Sequence, residues 1–105
     1  MRKAEIIIYD KIAGFLIQDE EGFTFTYNEE YLNNNVEPIS LTLPLQKEPF
    51  KNKIMFPFFD GLIPEGWLLS IVEKNWKLNS RDRMGLLLAC CKDCIGAVSV
   101  IEMKD

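Results

Sequence analysis

The sequence predicts an α+β fold, a small single domain with a curved antiparallel sheet of about five strands and two or three helices. Strand-like segments predominate before residue 44. Helical periodicity replaces them after Pro64, and an apolar, strand-like run returns after Gly96. Because a chain of 105 residues has room for one hydrophobic core, we expect one domain over residues 1–105.

The first three strands are predicted by alternation and by turn residues. The runs AEIIIY and IAGFLIQ are separated by Asp10 and Lys11, which is the spacing of a tight hairpin. The acidic segment DEEG ends at Gly22 and provides the next turn. The segment FTFTY then alternates strictly, so we expect one face of this strand to be buried through Phe23, Phe25 and Tyr27.

The middle of the chain predicts a short helix and a fourth strand. The segment NEEYL favours one helical turn with Asn28 as its cap. The segment ISLTL ends at Pro44 and alternates again, which places three residues on one side of a strand: Ile39, Leu41 and Leu43. Residues 44–53 show no regular pattern, and we expect them to be irregular.

A helix is predicted to begin at Pro64, because a missing N–H costs nothing in the first helical turn. Glu65 beside it favours the positive end of the helix dipole. Helical spacing then forms an apolar stripe from Leu68, Ile71, Val72 and Trp76. Trp67 lies at the rim of this stripe, next to the polar face of the predicted helix.

Another helix is predicted to begin at Asn79 or Ser80, both good caps, with Asp82 in its first turn. Its broad apolar face predicts burial on more than one side and consists of Met84, Leu87, Leu88, Cys90 and Cys91. Gly85 and Ala89 share the remaining face, where another backbone can approach closely. The run AVSVIEM predicts the last strand.

Composition argues against several functional classes. The net charge is −4 and the twelve Lys and Arg are scattered, so no basic stripe for direct nucleic-acid binding forms. The longest apolar runs are far shorter than the ~20 residues that span a bilayer. Three Cys without a visible secretion signal favour a reducing compartment. We therefore predict a cytoplasmic protein without membrane association.

Residue types that carry enzyme chemistry are missing or poorly placed, so we expect no catalytic residue, no cofactor and no metal site. The sequence has no His, which excludes Ser-His and Cys-His nucleophilic sites. The C-x-x-C pair Cys91 and Cys94 falls at a predicted helix C-terminus, the wrong end for activating a thiol. With Cys90 the pair still falls short of the four ligands of a structural zinc site.

Asp60 and Glu65 are close enough in sequence to work as an acid–base pair. A simpler interpretation gives Asp60 a hydrogen bond within the local turn and Glu65 a capping role at the helix start. The other runs of carboxylates lie in predicted turns and are typical of solvated charge.

Two blocks of the sequence together resemble the N-terminal domain of HipA-type serine/threonine kinases. The first, FFDGLIPEG at residues 58–66, is similar to an F-F-D-x-L-L-P-E-G-like block of that family. The second, DCIGAV at residues 93–98, is similar to its D-C-x-G-A-L-like turn into a strand. The resemblance covers nearly the whole chain, although Asp10 and Lys11 stand where Asn-Gly is usual in the hairpin.

In full-length members of this family a kinase core follows this domain, and its ATP-binding and catalytic residues correspond to no position of this chain. A free-standing copy is similar to the HipS-like proteins of three-gene HipBST toxin–antitoxin systems. The resemblance implies an antitoxin or regulatory subunit that binds and inhibits a HipA/HipT-type kinase toxin without catalysis of its own. A HipB-like helix-turn-helix protein would then provide the link to DNA. Two alternatives are an accessory domain that completes or stabilises a split kinase without inhibiting it, and an inactive remnant of a longer kinase.

The aromatic block, residues 56–76, is predicted to be partly core and partly a partner-contact surface, with a purely structural role as the alternative for Trp67. Phe58, Phe59, Leu62 and Leu68 have the spacing of packed positions. Trp67 differs because it lies at the rim of the stripe, and Trp is strongly enriched among interface hot spots. We therefore predict that partner-binding residues lie in this block: Trp67, Glu65, Pro64, Gly66, Phe59 and Asp60.

Overall fold

The computed structural model describes residues 2–34, 37–63, 82–90 and 98–103. Five strands lie in these residues: β1 Arg2–Ile8, β2 Lys11–Asp19, β3 Gly22–Tyr27, β4 Phe50–Asn52 and β5 Val98–Met103. The same residues contain three helices: α1 Glu29–Asn34, α2 Pro57–Asp60 and α3 Arg83–Cys90. No helix in this described part is long and apolar enough to cross a membrane.

The five strands form one antiparallel sheet in the order β4-β3-β2-β1-β5. The predicted α+β class and the number of strands are therefore confirmed. Strands β1 to β3 follow one another as a meander, whereas β5 returns to pair with β1 and places Val100 opposite Ile6. Both of these residues are fully buried, so the return of β5 completes the centre of the core.

The first hairpin turns one residue earlier than predicted. Ile8 lies opposite Lys11, so the two loop residues are Tyr9 and Asp10 instead of Asp10 and Lys11. Both loop residues have positive φ angles, 48° and 66°, as a type I′ turn requires. This turn type matches the twist of the paired strands, and the strand register imposes it on residues other than Asn-Gly.

A β-bulge follows this turn. Ile6 lies opposite Gly14 and Ile7 lies opposite Ile12, which leaves Ala13 as the extra residue of β2. Gly14 is needed beyond the bulge because a Cβ there would lie 2.4 Å from the carbonyl oxygen of Thr26. The missing side chain at Gly14 thus lets β3, with its Phe25 ring, approach β2 closely.

The predicted fourth strand over ISLTL is wrong. Leu41 is 97% exposed and Leu43 is 2% exposed, although alternation would place both on one face. The segment forms a turn with an isolated bridge between Ser40 and Leu43. Hydroxyl groups explain the difference, because Thr42 donates its N–H to Ser40 Oγ (3.3 Å) while the Tyr27 hydroxyl donates to the Leu43 carbonyl. The fourth strand is instead β4, within residues 44–53 that were predicted to be irregular.

The sheet buries the face that alternation in β3 predicts. Phe23, Phe25 and Tyr27 are buried, and Phe25 lies at the centre of an aromatic cluster. Its ring centroid is 5.0 Å from that of Tyr27, 5.4 Å from that of Phe59 and 6.5 Å from that of Phe50. Edge-to-face and offset contacts of this kind add to the free energy of burying each ring.

Helix α1 is present where one helical turn was predicted, but Asn28 works differently. The Asn28 carbonyl accepts the N–H of Leu32 (3.0 Å), whereas its side-chain amide donates to the Ile12 carbonyl (3.2 Å). Helix α3 buries the predicted Met84 and Leu87, and also Leu86, which the prediction omitted. Leu88 is only half-buried and packs at the edge of the core.

Candidate functional site

The described start of the aromatic block is a short helix that is anchored in the core. Helix α2 has Pro57 in its first turn, where a missing N–H is tolerated, and Gly61 follows its end. Phe59 has no exposed surface, and its ring meets Phe56 at 6.0 Å and Phe58 at 5.2 Å in edge-to-face contacts. The position of α2 against the sheet is therefore fixed by aromatic packing.

Asp60 at the end of α2 faces α3. Its Oδ1 accepts the Nε–H of Arg83 at 2.5 Å, with 42% of the Asp60 side chain and 29% of the Arg83 side chain exposed. Sequence reasoning gave Asp60 a hydrogen bond within its own turn. That turn is closed by the backbone, because Ile63 N–H donates to the Asp60 carbonyl at 3.2 Å. The carboxylate is thus a half-exposed bridge between two helices.

Asp82, one residue before α3, is the cap of that helix. Its Oδ1 accepts the N–H of Gly85 at 3.1 Å, and its carbonyl accepts the N–H of Leu86 at 3.0 Å. The predicted caps, Asn79 and Ser80, lie outside the described residues. Asp82 can serve as the cap because its carboxylate reaches the N–H groups of the first turn, which have no acceptor within the helix.

Arg2 of β1 connects the cap residue Asp82 to the sheet. Its guanidinium donates to both carboxylate oxygens of Asp82, with Nη1 to Oδ2 at 3.1 Å and Nη2 to Oδ1 at 2.5 Å. Its Nε also donates to Gln18 Oε1 at 2.8 Å. The hydrogen bonds from Arg2 hold the pKa of Asp82 below its ordinary value. This network ties β1, β2 and the start of α3 together.

Gly85 provides the space that this network needs. A Cβ at this position would lie 2.4 Å from Asp82 Oδ2 and 3.1 Å from Arg2 Nη1. The face shared by Gly85 and Ala89 was predicted to admit another backbone. At Gly85 this face is instead covered by the charged side chains of Asp82 and Arg2, and Ala89 is exposed to solvent.

The predicted contact residues fall into three groups. Asp60 is half-exposed at the α2–α3 bridge. Phe59 is a packed core residue, as its spacing predicted, and its complete burial argues against direct contact with a partner. The remaining predicted contact residues lie outside the described residues: Pro64, Glu65, Gly66 and Trp67.

No cluster of three metal-ligating residues occurs among the residues that the structure describes. Cys90 is the last residue of α3, while Cys91 and Cys94 lie outside the described ranges. Within the described residues, the site consists of the ion pairs Arg2–Asp82 and Asp60–Arg83 and of the aromatic rings around Phe59.

Sequence reasoning missed the partners of both carboxylates. Asp82 pairs with Arg2, 80 residues away, and Asp60 pairs with Arg83, 23 residues away, so both pairings depend on the fold. One local signal was available, because Asp is among the preferred cap residues and Asp82 directly precedes the helix.

Comparison with known proteins identifies the fold. Residues 4–101 match the HipA N-terminal domain family. A solved structure described as the N-terminal domain of HipA toxin superposes with a TM-score of 0.81 and 30% identity, over 100% of this chain and 95% of that one. An uncharacterised protein of Haemophilus influenzae is 33% identical over 105 residues, which cover 96% of its length.

A longer relative contains the same unit. The protein named "Putative kinase Y4mE" of Sinorhizobium fredii is 42% identical over 93 residues. The match spans 87% of this chain but only 22% of that relative. The family match covers most of the chain and agrees with the superposition on a solved structure of the same domain, so the chain belongs to the HipA N-terminal domain family.

Proposed function

We propose that the chain is an antitoxin, a regulatory subunit that binds and inhibits a HipA-family serine/threonine kinase toxin in the cytoplasm and catalyses no reaction itself. One observation carries this proposal: the same unit occurs in two contexts. It matches 22% of a protein named as a kinase and 96% of an H. influenzae protein of similar length. A domain that is found both with and without a kinase is well suited to act on a kinase in trans.

The proposed contact surface lies on the aromatic block. Asp60 provides a half-exposed carboxylate there, and buried Phe59 holds α2 against the core. Pro64, Glu65, Gly66 and Trp67 follow directly in sequence, and Trp67 is the proposed hot spot. Trp offers a large contact area with only two side-chain torsions, so little conformational entropy is lost when it is fixed on binding.

A third component completes the proposal. A HipB-like helix-turn-helix protein would bind operator DNA, and this chain would meet DNA only through it. The net charge of −4 supports this division, because an acidic domain is repelled by phosphates.

The direct test combines the purified chain with a HipA-type kinase that lacks its own N-terminal domain. We expect co-elution from a sizing column and a fall in kinase autophosphorylation as the chain is added. Separate elution at micromolar concentrations would contradict any role in binding this kinase. Co-elution with unchanged or increased autophosphorylation would favour the alternative, an accessory domain that completes or stabilises a split kinase.

A matched pair of variants separates contact from stability. Asp60→Asn and Asp82→Asn each remove one carboxylate charge from a half-exposed ion pair at the start of α3. Each should lower the free energy of unfolding by about 0.5 kcal/mol. We expect only Asp60→Asn to weaken kinase binding, by about threefold or more. Equal effects of the two variants on affinity would exclude Asp60 from the contact surface.

A further inference from the structure

The segment ISLTL at residues 39–43 forms a strap, a loop that belongs to no strand of the described sheet. Pro38 precedes it and Pro44 follows it, and neither residue has an N–H to donate to a neighbouring strand. Within the strap, Leu43 N–H donates to the Ser40 carbonyl at 3.1 Å, which closes the loop on itself. Because no ladder of backbone hydrogen bonds ties the strap to the sheet among the described residues, side chains must attach it.

One buried hydroxyl attaches both ends of the strap. Tyr27 is the last residue of β3 and is 3% exposed. Its hydroxyl accepts the N–H of Ile39 at 3.1 Å and donates to the carbonyl of Leu43. Within the described residues, these are the hydrogen bonds that join the strap to the rest of the fold, so the attachment depends on a single oxygen atom.

The position of this hydroxyl is fixed by the rings around Tyr27. The Tyr27 ring stacks on Tyr31, with 5.9 Å between the ring centroids. It also meets Phe25 at 5.0 Å and Phe50 at 6.4 Å in edge-to-face contacts. The hydroxyl therefore belongs to the rigid aromatic cluster of the sheet, and the strap is the part that can move relative to it.

The three apolar side chains of the strap are buried to different extents. Leu43 is 2% exposed and Ile39 packs half-buried against the core, whereas Leu41 between them is 97% exposed. A regular strand would place all three on one face. The closed strap therefore hides two members of a strand-like apolar pattern and leaves the third in solvent.

We propose that the strap opens as one unit while the sheet stays folded, and that the Tyr27 hydroxyl is its latch. A segment with few links to the sheet opens at a lower free energy than the paired strands do. Breaking the hydrogen bonds to one oxygen frees both ends together. The open strap can extend, and alternation then brings Ile39, Leu41 and Leu43 onto one exposed apolar face. The fold thus contains a strand-like apolar face that only opening reveals.

This inference does not rest on kinase binding, and its test uses no kinase. Amide hydrogen exchange of the ¹⁵N-labelled full chain is followed by NMR at increasing urea concentrations below the unfolding transition. The N–H groups of Ile39 and Leu43 report on the strap, and the protected N–H groups of β2 and β3 report on the sheet. We expect the strap N–H groups to exchange faster by about tenfold or more, with a weak dependence on urea, because opening exposes little surface.

Removal of single hydroxyls identifies the latch. Tyr27→Phe keeps the ring and removes both hydrogen bonds, so exchange in the strap should become about tenfold faster. Tyr9→Phe is the matched control and should change nothing, because Tyr9 is 78% exposed and its hydroxyl has no hydrogen bond within the described residues. Tyr31→Phe should have a smaller effect than Tyr27→Phe, because it removes the hydrogen bond to Glu37 before the strap and leaves the bonds of Tyr27 in place.

Three results would overturn the proposal. Equal rates and equal urea dependence for the strap and the sheet would mean that the strap opens only when the whole domain unfolds. Strap N–H groups without protection in the native chain would mean that these bonds hold no closed state. Equal effects of Tyr27→Phe and Tyr9→Phe would show that the hydroxyl is not the latch. The first two results come from the native chain, so they apply even if Tyr27→Phe does not fold.

Discussion

Replacing Asp82 tests how α3 is attached to the sheet. This carboxylate has two tasks, since it caps α3 through the Gly85 N–H and pairs with Arg2 of β1. Substitutions can separate the two tasks. Asp82→Asn keeps a side-chain acceptor at the cap and removes the charge, whereas Asp82→Ala removes both. Arg2→Met removes the ion pair and leaves the cap.

The expected magnitudes follow from these contacts. Loss of a side-chain cap costs about 1 kcal/mol. The ion pair is worth about 0.5 kcal/mol, because 35% of the Arg2 side chain and 40% of the Asp82 side chain are exposed. We therefore expect unfolding free energies lower by about 1.5 kcal/mol for Asp82→Ala and about 0.5 kcal/mol for Asp82→Asn. Arg2→Met should cost about 1 kcal/mol, because Gln18 also loses a donor.

Urea unfolding followed by circular dichroism measures these differences. The midpoint should move while the slope m stays constant, because the same surface is exposed on unfolding. The pH dependence is a second measurement. The pKa of Asp82 is lower in the folded chain than in the unfolded chain, so its ion pair stabilises the fold above the ordinary carboxyl range near pH 4. The advantage of the native chain over Asp82→Asn should fade as the pH falls through the folded-state pKa.

Three outcomes would refute this reasoning. Equal costs for Asp82→Ala and Asp82→Asn would show that the cap contributes nothing. A double variant, Arg2→Met with Asp82→Asn, whose cost equals the sum of the single costs would show that the two side chains are not coupled. A gap between the native chain and Asp82→Asn that does not narrow at all as the pH falls below about 4 would assign it to something other than ionisation.

Other positions give equally direct tests. Trp67→Ala should keep a cooperative melt, with a loss of about 1–2 kcal/mol, and should weaken kinase binding roughly thirtyfold, while Trp76→Ala should affect stability more than binding. In urea unfolding, Leu43→Ala should cost about 2–4 kcal/mol and Leu41→Ala less than about 0.5 kcal/mol. Similar costs would mean that both side chains are buried on one face, as the predicted strand requires. Gly14→Ala should lower the free energy of unfolding by about 2 kcal/mol or more, because its methyl group would clash with the Thr26 carbonyl. An unchanged melting temperature would contradict this close contact.

Most of the sheet could be predicted from local pattern. Strands β1, β2, β3 and β5 are long enough for alternation or β-branched runs to mark them. Strand β4 has three residues, FKN, too few to show a period, and it is fixed by pairing Phe50 with Phe25. The ISLTL segment has the right period but no neighbouring strand among the residues that the structure describes, and the buried Tyr27 hydroxyl redirects its backbone. Alternation predicts a strand only when a partner edge is available to it.

The candidate site was predictable only in part, for a related reason. Spacing predicted that Phe59 is packed, because an amphipathic pattern carries that information locally. The partner of Asp60 was not predictable, because Arg83 is distant in sequence and is brought near by the packing of α2 against α3.

Two ion pairs meet at consecutive residues, and this arrangement bears on the proposed contact surface. Asp82 ties the start of α3 to β1, and Arg83 ties the same turn to the end of α2. The segment between Asp60 and Arg83 contains the proposed hot spot Trp67, and the ion pair joins its two ends. Closing the base of a segment removes conformational freedom before any partner arrives, so less entropy is lost on binding. Only the Asp60–Arg83 pair bridges the two ends of this segment, so we expect Asp60→Asn to weaken kinase binding more than Asp82→Asn, which leaves that bridge intact.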